Sequence, residues 1–361
     1  MKALLVITGR GLGGDAVIGL NIIKSLESKG VHCEIALDES APGLLFKKQG
    51  YSWYKISIPQ AGGHAATKWT TVKAGLKTIN AIFKARKLIK KTKPDVVVGI
   101  IGGGAVIGCC AAKLTKVPSV GILSTPLDTN ICTRISRSIV FPEAQLFRQD
   151  IIPENVSKSY FPVDSEVVKG DKNNGIKSIV DFTTKLKQKN KNAISFDESK
   201  KTILFSSGST LFEKMAKAVS NFSKISDKYN IICIGDPLEE EYLDWFDESK
   251  MIYLSYVNWI KDLYEVVDLA ILTDDGMMLQ EAMVCEVPTI ALLKVKYGRY
   301  HNMGEVFSDA VIESELDNLE ENIENAMSNL DDIKLKVKSY REDILSSEDN
   351  ISNIIINEIK K

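Results

Sequence analysis

One unit recurs along this chain: a short run of aliphatic and β-branched residues, a turn rich in glycine or small polar residues, then apolar residues at helical spacing. It opens the sequence, where KALLVIT runs into a Gly-rich turn and Val17, Ile18, Leu20, Ile22, Ile23 and Leu26 recur before Gly30. VHCEIAL supplies the next strand, and KISI, DVVVGII and SVGIL continue the series. After a polar stretch, residues 169–201, the alternation restarts with TILFSS, NIICIGD, MIYLSY, LAILTDD and TIALL. Strands separated by helices return in the same direction and form parallel sheets covered on both faces. The expected fold is therefore α/β, with two Rossmann-like doubly wound domains facing each other across a cleft at their C-terminal strand edges.

A length of 361 residues suits two such domains. We expect residues 1–162 to form the first and 163–335 the second, joined around Phe161, Pro162, Val163 and Asp164. The tail is acidic and helical from about Glu313, and residues 336–361 are expected to cross back to the first domain.

Composition removes several classes. Six cysteines include no C-x-x-C pair, and three histidines are too few to complete ordinary zinc sites, so neither structural zinc nor a disulfide framework is expected. The opening MKALLVITGRG is too short in apolar residues for a secretion signal, and the expectation is a cytoplasmic protein. Residues 96–112 carry no charge over 17 positions, but Gly102, Gly103 and Gly104 at the centre favour strand, tight turn and helix over a membrane span. The net charge of −1 hides a division: residues 1–150 hold 21 Lys and Arg against 9 Asp and Glu, and the rest hold 25 against 38. A basic half points to an anionic partner: nucleic acid, a membrane surface or an anionic substrate.

Gly9-Arg10-Gly11-Leu12-Gly13-Gly14 satisfies G-x-G-x-x-G between a strand and a helix, and Asp38 closes the second strand where a dinucleotide fold places its ribose acid. On these residues alone NAD is a fair ligand, although such glycines suit any oxygen-rich group near a helix N-terminus. Asp15 follows at the helix start, where it can cap the helix or take a proton from an attacking hydroxyl. A second glycine turn spans 101–105. A third, Phe205-Ser206-Ser207-Gly208-Ser209-Thr210, combines small hydroxyls with an expected helix N-terminus and suits a diphosphate. No G-K-[ST] accompanies any of them, so triphosphate hydrolysis has no support. Thr273-Asp274-Asp275-Gly276 follows LAIL, and Glu281 on the next helix can accept two ribose hydroxyls. Residues 68–93, which begin at Lys68 and end at Lys93, contain nine basic residues and no acidic one, with Trp69, Val72, Leu76, Ile79 and Phe83 at spacings of three and four. This basic amphipathic helix packs a stripe on the sheet and suits an anionic membrane surface or lipid phosphate; nucleic acid is disfavoured because no aromatic and basic interleaving accompanies it.

In order and spacing these landmarks resemble the MurG family, GT-B-fold enzymes of glycosyltransferase family 28 that move N-acetylglucosamine from its UDP carrier to a lipid-linked sugar in cell-wall synthesis. The similarity runs over nearly the whole chain: the 9–15 loop, KPDVVVGIIGGG, Phe161-Pro162-Val163, the 206–210 turn, and residues 275–288 with Glu281. It implies an N-terminal half for the acceptor, facing the membrane, and a C-terminal half for the UDP-sugar. By the same resemblance Ser207, Gly208 and Ser209, with Thr210, contact the diphosphate region. Glu281 contacts the ribose, with Asp275 and Gly276 beside it; Asn302, after Arg299, contacts the sugar hydroxyls; and Gly13 and Gly14 lie beside the reacting centre. The family's first loop usually ends Gly-Gly-His where this chain has Asp15, and glutamines usually stand where it has Gly298 and Arg299. These departures point toward a divergent wall polymer, of which an archaeal pseudomurein is one example beside peptidoglycan.

The expectation is an inverting glycosyltransferase working by single displacement at the inner face of the cell membrane. Its donor is a UDP-N-acetylhexosamine, GlcNAc first, and its acceptor a lipid-linked glycan. Asp15 is the first choice for the base, with Asp128 and His64 in reserve. No cofactor or metal is expected, since no D-x-D motif occurs and helix dipoles can neutralise a diphosphate. The alternatives are an NAD-dependent oxidoreductase built on residues 9–14 and Asp38, a UDP-sugar epimerase, and a non-catalytic nucleotide-sugar-binding protein.

Overall fold

A computed structural model of the chain describes residues 1–9, 14–59, 68–296 and 303–361, with the side chains of 68–76 left undescribed. It divides into two compact units, Met1–Pro162 with Ser346–Lys361, and Val163–Leu345.

The first unit runs β1 (Lys2–Ile7), α1 (Asp15–Ser28), β2 (His32–Asp38), α2 (Leu44–Lys48), β3 (Tyr54–Ile56), α3 (Lys68–Thr92), β4 (Val96–Ile100), α4 (Gly103–Thr115), β5 (Ser119–Leu123), α5 (Pro126–Cys132), β6 (Arg137–Val140) and β7 (Val156–Lys158). Its seven strands are all parallel, in the order β3-β2-β1-β4-β5-β6-β7. The central strands KALLVI and VVVGI are buried almost throughout, because helices cover them and alternation is not needed. Ala81, Ala85 and Ile89 of α3 and Ile107 and Ala111 of α4 pack on Leu4, Val6 and Val97. The uncharged run 96–112 is β4, a turn and α4, and its glycines let the helix approach the sheet: a Cβ on Gly104 would lie 2.7 Å from the carbonyl oxygen of Val6. Among the described residues no helix is long and apolar enough to cross a membrane.

The second unit runs α6 (Lys172–Lys189), β8 (Thr202–Leu211), α7 (Glu213–Ile225), β9 (Asn230–Pro237), β10 (Ile252–Leu254), α8 (Ile260–Tyr264), β11 (Leu269–Thr273), α9 (Met277–Val284), β12 (Thr289–Leu292), α10 (Met303–Val306), β13 (Val311–Ser314), α11 (Leu319–Ser328) and α12 (Leu330–Leu345). Its six parallel strands follow the order β10-β9-β8-β11-β12-β13. The closing helix α13 (Ser347–Ile359) belongs to the first unit. There Ser347 Oγ donates to the Phe161 carbonyl at 2.7 Å, Ser352 Oγ lies 2.7 Å from Ser25 Oγ, and Lys29 pairs with Asp349 at 2.9 Å.

Three expectations change. The turn and helix start placed at 207–210 is instead strand: β8 continues to Leu211 through a register shift between Ser206 and Thr210, and α7 begins at Glu213. Glu313, expected in a helical tail, sits in the edge strand β13, and the acidic helices start only at Leu319. Residues 336–345 stay with the second unit, because they continue α12, where Val337 and Ile344 are buried and Arg341 Nε donates to the Val284 carbonyl at 2.9 Å.

Candidate functional site

In the second unit the chain leaves β8 toward β9 and β10 on one side, while β11, β12 and β13 lie on the other. Loops after β8 and β11 therefore diverge, and an open parallel sheet offers its ligand crevice at such a switch point. Gly208, at φ +99°, permits the bulge there, and its N–H donates to Ser206 Oγ at 3.1 Å. Ser207 Oγ donates to the Thr210 carbonyl at 2.9 Å and accepts from Phe212 N–H at 3.0 Å. The Ser207 hydroxyl thus braces the bulge from a buried position, and Gly208, Ser209 and Thr210 form the partly open rim. Ser206 Oγ also lies 3.4 Å from Met278 Sδ, joining the bulge to the first turn of α9.

Gly276 caps α9 without a side-chain bond, and no acidic residue stands in that first turn. Glu281 follows on the same helix, half-buried, with Tyr264 Oη donating to Oε2 at 3.5 Å. Burial pushes its carboxyl up to about 7, against the lowering hydrogen bond from Tyr264. Asp275, expected beside the ribose, has a side chain only 1% exposed and pairs through Oδ1 with Lys296 Nζ at 3.1 Å. Its carboxylate is buried against that ammonium. Asp274 Oδ2 accepts from Lys294 N–H at 3.2 Å, its carbonyl accepts from Met303 N–H at 3.0 Å, and burial pushes its carboxyl up to about 6. Asp274, Lys296 and Tyr264 were absent from the sequence-based site. The available signal for Lys296 was its place just past a strand at the sheet's C-terminal edge, a cation in the acidic half of the chain.

In the first unit Gly14, at φ +58°, caps α1, and Asp15 is the first helical residue rather than the cap. Its Oδ2 accepts from Gly9 N–H at 2.9 Å, so the carboxylate closes the β1–α1 turn while remaining half-buried. Asp128 forms a capping box with Thr125 at the start of α5, and its Oδ2 accepts from Gly102 N–H at 2.6 Å. With 0% exposure it does not reach a substrate hydroxyl, so its reserve role as base is replaced by holding two loops together. Burial raises its pKa above the ordinary carboxylate value. Asp38 is also buried: Oδ1 accepts from Ile58 N–H at 2.8 Å, and Oδ2 accepts from Ser40 Oγ. A carboxylate so engaged does not present itself to a ribose, which removes half of the dinucleotide reading.

His64, Gly13, Arg299 and Asn302 lie outside the described residues. On α3 the sheet-facing positions are Ala81, Ala85 and Ile89, whereas Ile79 and Phe83, expected in the packed stripe, are 54% and 50% exposed. Together with Leu114, Ile82 and Ile135 they line an open groove of about 330 Å³. Beside it a basic depression of about 670 Å³ is lined by Lys113, Lys116, Arg134 and Arg137. Among the described residues no group of three or more His, Cys, Asp or Glu side chains is placed to hold a metal ion.

The crystal structure of Acinetobacter baumannii MurG superposes with a TM-score of 0.69 at 15% identity, covering 99% of each chain. A Neisseria meningitidis UDP-GlcNAc 2-epimerase bound to UDP-GlcNAc superposes at 0.64 with 14% identity, covering 100% of both chains. The architecture is GT-B, the class to which two parallel α/β units with small-residue turns at their strand ends belong. Residues 5–120 match the glycosyltransferase family 28 N-terminal domain. A UDP-N-acetylglucosamine--N-acetylmuramyl-(pentapeptide) pyrophosphoryl-undecaprenol N-acetylglucosamine transferase of Clostridium botulinum is 25% identical over 300 residues, 80% of this chain and 78% of that protein. The chain is thus similar to the MurG glycosyltransferases of family 28, through its residues 5–120 and through 25% identity over 80% of its length.

Proposed function

We propose that this enzyme is an inverting hexosyltransferase that moves N-acetylglucosamine from UDP to a lipid-linked wall precursor at the cytoplasmic face of the membrane. The observation that carries the donor half is the convergence at the β8–β11 switch point of the 208–210 rim, the uncapped N-terminus of α9 and the carboxylate of Glu281. Backbone N–H groups and a helix N-terminus suit a diphosphate, and a carboxylate one helical turn further on suits vicinal ribose hydroxyls. Arg299 and Asn302 would complete the sugar contacts.

The acceptor hydroxyl would attack the anomeric carbon while Asp15 takes its proton, and the carbon's bond to the β-phosphate oxygen breaks with its electron pair leaving on UDP. At Gly14, beside Asp15, a Cβ would meet no atom of the described residues within 4 Å. No metal is required in this reading, because the diphosphate charge is met by the protein's own donors. The half-exposed Ile79, Phe83 and Leu114 beside Lys113, Lys116 and Arg134 suit an anionic membrane surface, extending the reading of residues 68–93.

Calorimetric titration without added metal against UDP, UDP-N-acetylglucosamine and NAD tests the donor half. Binding of the UDP compounds alone is expected, and binding of NAD alone would overturn the reading. The fold is shared with an epimerase, so the decisive assay incubates UDP-N-acetylglucosamine with chelator present, with and without a polyprenyl-diphosphate-linked acceptor. Transfer only with acceptor is expected; sugar isomerisation without it would assign an epimerase.

A further inference from the structure

We infer that Lys296 is a cation for the donor's β-phosphate, held in place by the buried carboxylate of Asp275. This inference rests on the UDP-sugar reading above and adds a residue to that site.

Four observations converge on Lys296. Its ammonium lies 3.1 Å from Asp275 Oδ1, immediately before Gly276, the cap of α9. On its other side it stands over the ring of Phe212, 5.7 Å from the centroid, and Phe212 is tied by its N–H to the β8 bulge through Ser207. It therefore sits between the two loops that leave the switch point, next to a helix N-terminus that has neither a side-chain cap nor an acid in its first turn. Finally, its side chain keeps 23% exposure while its counter-ion keeps 1%, so the pair meets solvent through the lysine rather than the carboxylate.

The neighbouring lysines are disposed differently. Lys214 Nζ donates to the Leu293 carbonyl at 2.6 Å and pairs with Glu315 at 2.7 Å, and Lys294 pairs with the other oxygen of Glu315 at 2.7 Å. Glu315 is 40% exposed, so that trio is an ordinary half-solvated cluster. Asp274 turns its carboxylate to the backbone of Lys294. An ammonium has three donors, and a single carboxylate oxygen does not use them all. A diphosphate oxygen arriving at the N-terminus of α9 meets the remaining donors of a cation whose rotamer has already been fixed by the buried pair and the ring. In the transfer step the electron pair of the broken bond settles on that oxygen, where the ammonium offsets the charge.

UDP and UMP separate this role from general support of the site, because UMP lacks the β-phosphate. Calorimetry on the full chain would compare wild type, Lys296→Gln and Lys296→Arg. A charge-assisted contact predicts a loss of about 10-fold or more in UDP affinity for the Gln variant, UMP affinity within about two-fold, and recovery with Arg. Removing the cation alone takes its counter-ion from a buried carboxylate, so the double variant Asp275→Asn/Lys296→Gln is read in parallel and is expected to show the same selective loss. Unchanged UDP affinity in a folded variant, or equal losses for UDP and UMP, overturns the inference while leaving the UDP-sugar reading intact. Wild type that binds neither nucleotide overturns both.

Discussion

The helices that follow β1 and β11 differ in the charge at their first turns. In the first unit α1 starts with a carboxylate, Asp15, braced by Gly9 N–H at the end of β1. In the second unit α9 starts behind Gly276 with no acid in its first turn, and Lys296 stands beside it. A helix N-terminus attracts anions through its unpaired N–H groups, and a side-chain carboxylate placed there already satisfies that demand. On the proposed reading the same topology is tuned in opposite directions, the first turn toward a neutral nucleophile that must lose a proton and the second toward a diphosphate. Much of the basic excess of residues 1–150 lies on α3, α4 and beside β6, and in the turn before α1 the sequence places Arg10, which lies outside the described residues.

The largest effect that sharpens this contrast is expected at Asp15. Asp15→Ala should lower transfer by about 10²- to 10⁴-fold, the usual weight of a general base, with UDP affinity unchanged by calorimetry. Full turnover in that variant would leave Asp15 only its role in the turn. Asp128 breaks the comparison in a different way, since it is a carboxylate of the same unit that serves the fold. Asp128→Ala strips acceptors from Gly102 and Thr125 N–H in a fully buried setting, and should cost about 2 to 3 kcal/mol in urea denaturation. A loss under about 0.5 kcal/mol would show that water replaces the carboxylate.

These two aspartates also mark the limits of the sequence. The α/β alternation and the parallel sheets were legible because fully covered strands are written as short continuous apolar runs. RSIV and VSK, which form β6 and β7, were not, because three or four residues with a charge at one end carry no such run. The β8 bulge was read as a helix start since Ser-Gly-Ser serves either structure; only the pairing of Thr210 and Leu211 with Asp236 and Pro237 decides for strand. Asp15 and Glu281 were found as residues, but the inward direction of Asp275 and Ser207 depends on contacts with Lys296 and Phe212 that have no local signature.

A smaller effect is expected at Glu281, which on the proposed reading accepts the two ribose hydroxyls best when its carboxyl is ionised. Because burial has raised its pKa to about 7, UDP affinity should fall as pH drops from 8 through 7 toward 6. Glu281→Gln should lose about 10-fold in affinity at pH 8 and flatten that dependence. The stability linkage has the opposite sign: a carboxyl raised from 4.5 to about 7 binds its proton more tightly folded than unfolded, so its contribution declines as pH rises through that window. Denaturation at pH 5 and pH 8 should therefore show the Gln variant gaining relative to wild type at the higher pH. A pH-independent UDP affinity in wild type would remove Glu281 from the ribose.

The smallest effect on the folded protein belongs to the exposed stripe of α3, and there the comparison turns on partner instead of chemistry. Ile79 and Phe83 are about half exposed while Ala81, Ala85 and Ile89 hold the helix to the sheet, so the packing does not depend on the exposed pair. Ile79→Ser with Phe83→Ser should change unfolding free energy by less than about 1 kcal/mol, as for most surface substitutions. Sedimentation with vesicles of anionic lipid should nevertheless fall several-fold, since each buried methylene contributes about 0.8 kcal/mol of partitioning. Raising salt should weaken wild type further by screening Lys113, Lys116 and Arg134, an effect that neutral vesicles would not show. If the double variant sediments as wild type does while salt still releases it, the surface is electrostatic alone and the apolar groove serves another ligand. Loss in the variant together with loss in salt would assign both halves of that surface to the membrane, and with it the side of the first unit from which a lipid-linked acceptor arrives.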